Sequence, residues 1–162
     1  MRKLIVLAMI AIAAGVAGCG KSATKVYTNG KDNVAVSNSG DHMTITGANG
    51  AKVEFGSGTT ATAKMPSFLP LYPGAKVTTS ITGSDKNGSG GMVAFQVAAS
   101  TDDVVNFYKQ KTTAAGMAQA MSAQMGDTST YVAANDKTKQ SVSVSATKGG
   151  DGTTVQITWG AK

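Results

Sequence analysis

Hydrophobic and polar residues alternate in short runs along most of this chain, and turn residues cut the runs at regular intervals. Val34-Ala35-Val36, Met43-Thr44-Ile45 and Val53-Glu54-Phe55 each set apolar side chains on one side of a strand, whereas Asn29-Gly30, Ser39-Gly40-Asp41 and Asn49-Gly50 suit tight hairpin turns. Residues 26 to 55 therefore predict a small β-meander. Farther on, Val77, Thr79 and Ile81 alternate, Asp85 to Gly90 makes a turn, and Val93, Phe95 and Val97 alternate on the return, which predicts a hairpin. Tyr131-Val132-Ala133, Val142 with Val144, and Val155, Ile157 and Trp159 again repeat every second residue. Lys148 to Gly152 forms a turn between the last two.

The period changes once. Ser100 precedes Asp102 and Asp103, so a hydroxyl stands ready to cap free amides and two carboxylates lie at the positive end of a helix dipole. Val104, Phe107, Tyr108 and Lys111 follow at helical spacing, and Gly116 suits the residue just past the end. One helix of about four turns is expected. The predicted fold is α+β: an antiparallel β-sheet with one main helix packed on a face, ordered ββα and then three or four strands, preceded by the meander. Gly56-Ser57-Gly58, a Thr- and Ala-rich stretch to Lys64, and all three prolines (Pro66, Pro70, Pro73) separate the two parts. The predicted divisions are thus 26–64 for the meander and linker and 65–162 for the α+β domain.

The first residues carry a different pattern, with Arg2-Lys3 followed by an uncharged run from Leu4 to Gly18. As a helix these fifteen residues reach only about 22 Å, short of the roughly 30 Å hydrocarbon core, so 1–18 reads as a removable export signal. Val16-Ala17-Gly18-Cys19 resembles the lipobox of bacterial lipoproteins. The resemblance implies a diacylglycerol on the Cys19 thiol, cleavage just before it, and acylation of the new amino terminus. Cys19 is also the chain's single cysteine, so no disulfide forms within one molecule, and acylation removes an otherwise exposed thiol. Each buried CH₂ contributes about 0.8 kcal/mol, and two or three chains give stable attachment. Residues 19–25 then form a lipidated tether. Gly20 stands where an aspartate resembles an inner-membrane retention signal, an analogy that favours the outer membrane facing the periplasm and leaves the inner one open.

Without residues 1–18, 144 of the 162 residues remain, enough for one domain with its own core. The formal charge falls from +6 to +4 because Arg2 and Lys3 leave, and no arginine is left. Nucleic-acid recognition leans on the planar fork of arginine, so that class is excluded.

Met65 to Ala75 (Met-Pro-Ser-Phe-Leu-Pro-Leu-Tyr-Pro-Gly-Ala), a glycine-rich hairpin, then Asp102-Asp103-Val104-Val105-Asn106-Phe107-Tyr108 and Ala115-Gly116 resemble a group of uncharacterised bacterial envelope lipoproteins. The resemblance covers about residues 65 to 160. It implies an envelope location and brings no activity and no site.

Candidate chemistry is sparse. Met117, Met121 and Met125 recur every four residues, a spacing that places three thioethers on one face of either a helix or a strand. Soft thioethers suit Cu(I), although methionine more often fills an irregular core. His42, the single histidine, stands near Asp41 and Asp32 and is a general base only if an acid orients it. Gly56-Ser57-Gly58 lacks the frame of a nucleophile elbow, and the two Ser-Ala-Thr-Lys tetrads (Ser22 to Lys25 and Ser145 to Lys148) lack the other motifs of penicillin-recognising enzymes. Gly88-Ser89-Gly90-Gly91 joins two strands, with no helix start to hold a pyrophosphate.

The expectation is a non-enzymatic, membrane-anchored envelope protein without cofactor, a binding or structural module for an envelope protein or a small apolar ligand. The ligand version, a carrier, predicts an enclosed apolar cavity between helix and sheet walled by Phe107, Tyr108, Met117 and Trp159. A hydrolase built from scattered residues is the competing reading, and an open pocket joining His42 to an acid or hydroxyl would favour it.

Overall fold

The computed structural model describes residues 23–29, 32–47, 50–57 and 65–161. Cys19 and the segment before it lie outside the described residues. Ten strands and one helix follow one another as β1 (Ala23–Asn29), β2 (Asp32–Ser39), β3 (His42–Thr46), β4 (Lys52–Gly56), β5 (Lys76–Asp85), β6 (Gly88–Val97), α1 (Thr101–Ala114), β7 (Ala118–Met125), β8 (Thr128–Asn135), β9 (Gln140–Gly149) and β10 (Gly152–Ala161). All ten strands form one antiparallel sheet in the order β1-β2-β3-β4-β5-β6-β10-β9-β8-β7, an α+β fold with the helix on one face. Although the prolines separate β4 from β5 in the chain, the two strands pair directly, Glu54 opposite Thr82 and Phe55 opposite Ile81.

The last strand lies in the middle. Val155 and Ile157 of β10 stand between Phe95 and Val93 of β6 on one side and Ala146 and Val144 of β9 on the other, and all six are fully buried. The helix covers this side, here called the inner face, through contacts with β7, β8 and β9. Val104, Tyr108 and Thr112 repeat every four residues and form its buried stripe. Apolar burial of this kind contributes about 25 cal/mol per Å².

Local chemistry sets the ends of the helix. Ser100 Oγ accepts from the Asp103 amide at 3.1 Å and donates to the Asp103 carboxylate at 2.7 Å, while Asp102 and Asp103 occupy the first turn and Lys111 the last. Gly116 follows at φ 75°, a left-handed conformation that a side chain would resist, and its carbonyl accepts from Asn135 Nδ2 at 3.0 Å. Inside, the Thr112 hydroxyl bonds the Tyr108 carbonyl at 2.9 Å and the Tyr131 hydroxyl at 2.8 Å, a buried polar pin between helix and β8.

The proline-rich segment closes one side of the core. Its prolines bar it from the ladder, yet Leu69 is fully buried, and Met65, Phe68, Leu71 and Tyr72 pack against the same cluster. Tyr72, Phe107 and Tyr108 form a run of edge-to-face rings with centroids 4.9 and 5.0 Å apart, and Lys111 Nζ sits 5.3 Å from the Phe107 ring.

Across the sheet the apolar residues change sides. In β6 and β8 to β10 they face the helix. In β2 to β4 the inner positions are polar (Ser37, Thr44, Glu54), and Val34, Val36, Met43, Ile45, Val53 and Phe55 point to the outer face, where register joins them to Ile81 and Met92.

The methionine spacing is overturned here. A register shift between Gln119 and Met121 breaks the period of β7. Met117 is buried in the inner core, whereas Met121 and Met125, opposite Val132 and Thr128, are exposed on the outer face. The three thioethers therefore do not share a face.

Candidate functional site

The helix and the proline segment cover only part of the inner face, and Trp159 stands at the limit of that cover. Register places it opposite Gly91 on β6 and Val142 on β9. Its ring lies across Gly91, where an added Cβ would come within 2.5 Å of Trp159 Cζ2 and 2.7 Å of the Ile81 carbonyl. Glycine here makes room for an indole, and the indole covers the bare backbone.

Next to the ring opens a groove of about 390 Å³, lined by Trp159, Lys52, Glu54, Thr82, Gln140 and Pro66 among others. Alternation in β4, β5, β9 and β10 aims these strand side chains inward, and Pro66 comes from the proline segment. Lys52 Nζ meets Glu54 Oε1 at 2.8 Å. The carboxylate is buried while the ammonium is half exposed, so the pair offers its positive member to water. The groove thus joins an aromatic surface to a charge pair, a hydroxyl and an amide. Its volume falls at the lower end of small-molecule sites, roughly 300–1,000 Å³.

A wider depression of about 790 Å³ lies on the outer face at the same rim, between the turn after β5 and the turn after β8. Glycines, alanines and Val53 line it together with serines, asparagines and the charged Lys52, Asp85, Asp136 and Lys139. It holds no aromatic ring and no buried charged group, so the inner groove is the better-equipped site.

The four residues expected to wall an enclosed cavity do not come together around one. Tyr108 and Met117 are buried in the core, which Phe95, Tyr131 and Leu69 fill with them, and Phe107 lies outside it against Tyr72. Trp159 lines a groove. Among the described residues, the space between helix and sheet around Tyr108 and Met117 is packed with Phe95, Tyr131 and Leu69.

Burial pushes the Tyr108 phenol above the ordinary tyrosine range, with a smaller upward contribution from nearby Tyr72 that the Tyr72 backbone opposes. Its hydroxyl has no partner within hydrogen-bond geometry.

His42, Asp41 and Ser57 line one shallow depression of about 280 Å³. A backbone bond from the Ser57 amide to the Asp41 carbonyl, 3.2 Å, holds the two loops together. His42 Nδ1 is buried without a hydrogen-bond partner, so no acid orients the ring as a base requires. Asp102 and Asp103 serve the helix start. Ser145 lies within β9 opposite Gln156, while Lys148 ends near the turn and is exposed. Among the described residues no group of three or more His, Cys, Asp or Glu side chains is placed to hold a metal ion, and no helix is long and apolar enough to cross a membrane.

Sequence reasoning missed the Lys52–Glu54 pair. The chain's sole glutamate, set between Val53 and Phe55, was the available signal, because a lone carboxylate in an apolar strand needs a partner.

A family model described as START domain-like matches residues 77–160, from the second residue of β5 to the next-to-last residue of β10. No curated protein and no solved structure matches the chain. The matched region contains the helix, the core strands and the Trp159 side of the groove, and it spans more than half of the sequence. The chain belongs to the START domain-like family.

Proposed function

We propose that this protein is a lipid-anchored envelope module that binds a small ligand, apolar on one side and polar on the other, in the groove beside Trp159. The observation that carries the reading is the composition of that groove: an indole ring and the Lys52–Glu54 pair line the same space of about 390 Å³. An apolar part of the ligand lies against the ring. Its polar groups meet Lys52, Thr82 and Gln140 at the open side. The START domain-like match is consistent with a binding module of this kind, and it covers the strands that carry Thr82, Gln140 and Trp159.

The protein acts without chemistry on its ligand in this reading. His42 lacks an orienting acid, and the neighbouring hydroxyl of Ser57 lies away from the Trp159 groove. Attachment at Cys19, with residues 1–18 removed, rests on the lipobox and on the single-cysteine composition. It would hold the groove near the lipids and proteins of the envelope, with the outer membrane as the favoured address.

Trp159 is the only tryptophan, so its emission reports on the groove without a label. Protein purified from an envelope fraction is extracted and the extract is examined by mass spectrometry, after which the emptied protein is titrated with the recovered compound. A saturable shift in Trp159 emission, abolished by filling the groove with Thr82→Phe, is expected. Absence of any co-purifying small molecule together with unchanged emission would overturn the reading.

A further inference from the structure

The outer face of β1 to β4 carries apolar side chains that no element of the described structure covers. Tyr27 stands opposite Val34, Val36 opposite Ile45, Ile45 opposite Val53, and Met43 opposite Phe55, making one continuous patch across four strands. The contacts of these strands run to their neighbours in the sheet, whereas the helix lies on β7 to β9 and on the other face. Tyr27 is 53% exposed at the sheet edge. Lys25, two residues earlier, points the same way and is the one charged side chain described on this patch.

We infer that this patch rests on the lipid bilayer when the protein is anchored through Cys19. The placement depends on the acylation proposed above. Cys19 stands four positions before Ala23, the first residue of β1, so covalent geometry keeps that strand within about 14 Å of the attached lipid. The strand nearest the anchor is therefore the one that borders the uncovered apolar face. A tyrosine and a lysine at its edge match the headgroup zone, where amphipathic rings and ammonium groups settle. Anionic headgroups favour Lys25, and no described carboxylate on the patch opposes them. A second apolar surface beside an acyl anchor follows the general need of more than one element for stable membrane attachment. With this patch on the membrane, the helix side and the Trp159 groove, on the opposite face, turn toward the aqueous space.

Acylation blocks the only native thiol, which allows a clean test with the full-length lipidated protein. Asn38→Cys places a thiol on the outer face and Ser37→Cys places one on the inner face of the same strand. Each is labelled with an environment-sensitive fluorophore and reconstituted in vesicles of phosphatidylethanolamine and phosphatidylglycerol containing a spin-labelled quencher lipid. Quenching at position 38 with none at position 37 is the expected result. Equal quenching, or none at either site while the unsubstituted protein refuses label, would overturn the membrane-resting face and leave the anchor intact. Label entering the unsubstituted protein at Cys19 would overturn the anchor itself. Oxidative crosslinking of two Asn38→Cys copies in the vesicles, without quenching, would assign the patch to a second copy instead and also defeat the proposal.

Discussion

The strands on either side of the proline segment obey the same period of two and use it in opposite ways. In β6 and in β8 to β10 the alternation feeds a closed core, in which Phe95, Val93, Val155 and Ile157 lose all contact with water under the helix and Leu69. From β2 to β4 the same alternation leaves Val36, Ile45, Val53 and Phe55 half buried on the outer face, with cross-strand neighbours as their cover among the described residues. A strand pattern thus specifies how side chains sort, while the identity of the protected side depends on what else the chain provides to cover it. The family match follows this division: it begins at Val77 and leaves the meander outside.

The largest expected effect breaks the comparison at matched residues. Phe95→Ala removes a fully buried ring and is expected to cost about 3–5 kcal/mol, measured by denaturant unfolding. Phe55→Ala, in a strand of the same kind, removes a ring that already meets water, and about 1 kcal/mol is expected. Similar losses at the two positions would mean that the meander has a core of its own, contrary to the division drawn here.

A smaller effect concerns the boundary where the two regions meet. Gly91→Ala drives a methyl group into the Trp159 ring and the Ile81 carbonyl. The carbonyl belongs to the sheet ladder and has little room to give, so the indole must move. A cost of about 1–3 kcal/mol is expected, together with a red shift of tryptophan emission as the ring turns to solvent. Unchanged emission would show that Trp159 does not depend on Gly91 for its place.

The difference between the regions also explains what was legible in the chain. The strands of residues 77–97 and 131–159 show strong alternation, and Ser100, the paired aspartates and Gly116 mark both ends of the helix, so these elements stand out. β7 does not, because Ala118–Met125 is an edge strand exposed along its whole length, and a register shift between Gln119 and Met121 breaks its period. The change of face was also hidden, since alternation is the same read from either side of a sheet. The groove was harder still: Trp159 meets Gly91 only through the pairing of β10 with β6, strands separated by the helix and three others. Glu54 alone was visible as an anomaly, and its partner Lys52 lies only two residues away on the same face.

The smallest effect at neutral pH becomes visible in alkali. Tyr108 lies in the closed region with a hydroxyl that satisfies no hydrogen bond, and burial holds its ionisation above the ordinary tyrosine range. In the unfolded chain the phenol ionises near pH 10, while the folded chain keeps it neutral. Proton binding is therefore greater in the folded state above that pH, and stability must fall as pH rises from about 10 toward the higher folded value. Below pH 10 both states hold the proton and the contribution is complete. Tyr108→Phe keeps the ring and removes the titrating group, so it is expected to change stability little at pH 7 and to flatten the alkaline decline in a series of unfolding midpoints. If Tyr108→Phe left the alkaline decline unchanged, the distinction between a closed core and an uncovered face would fail at a fully buried ring.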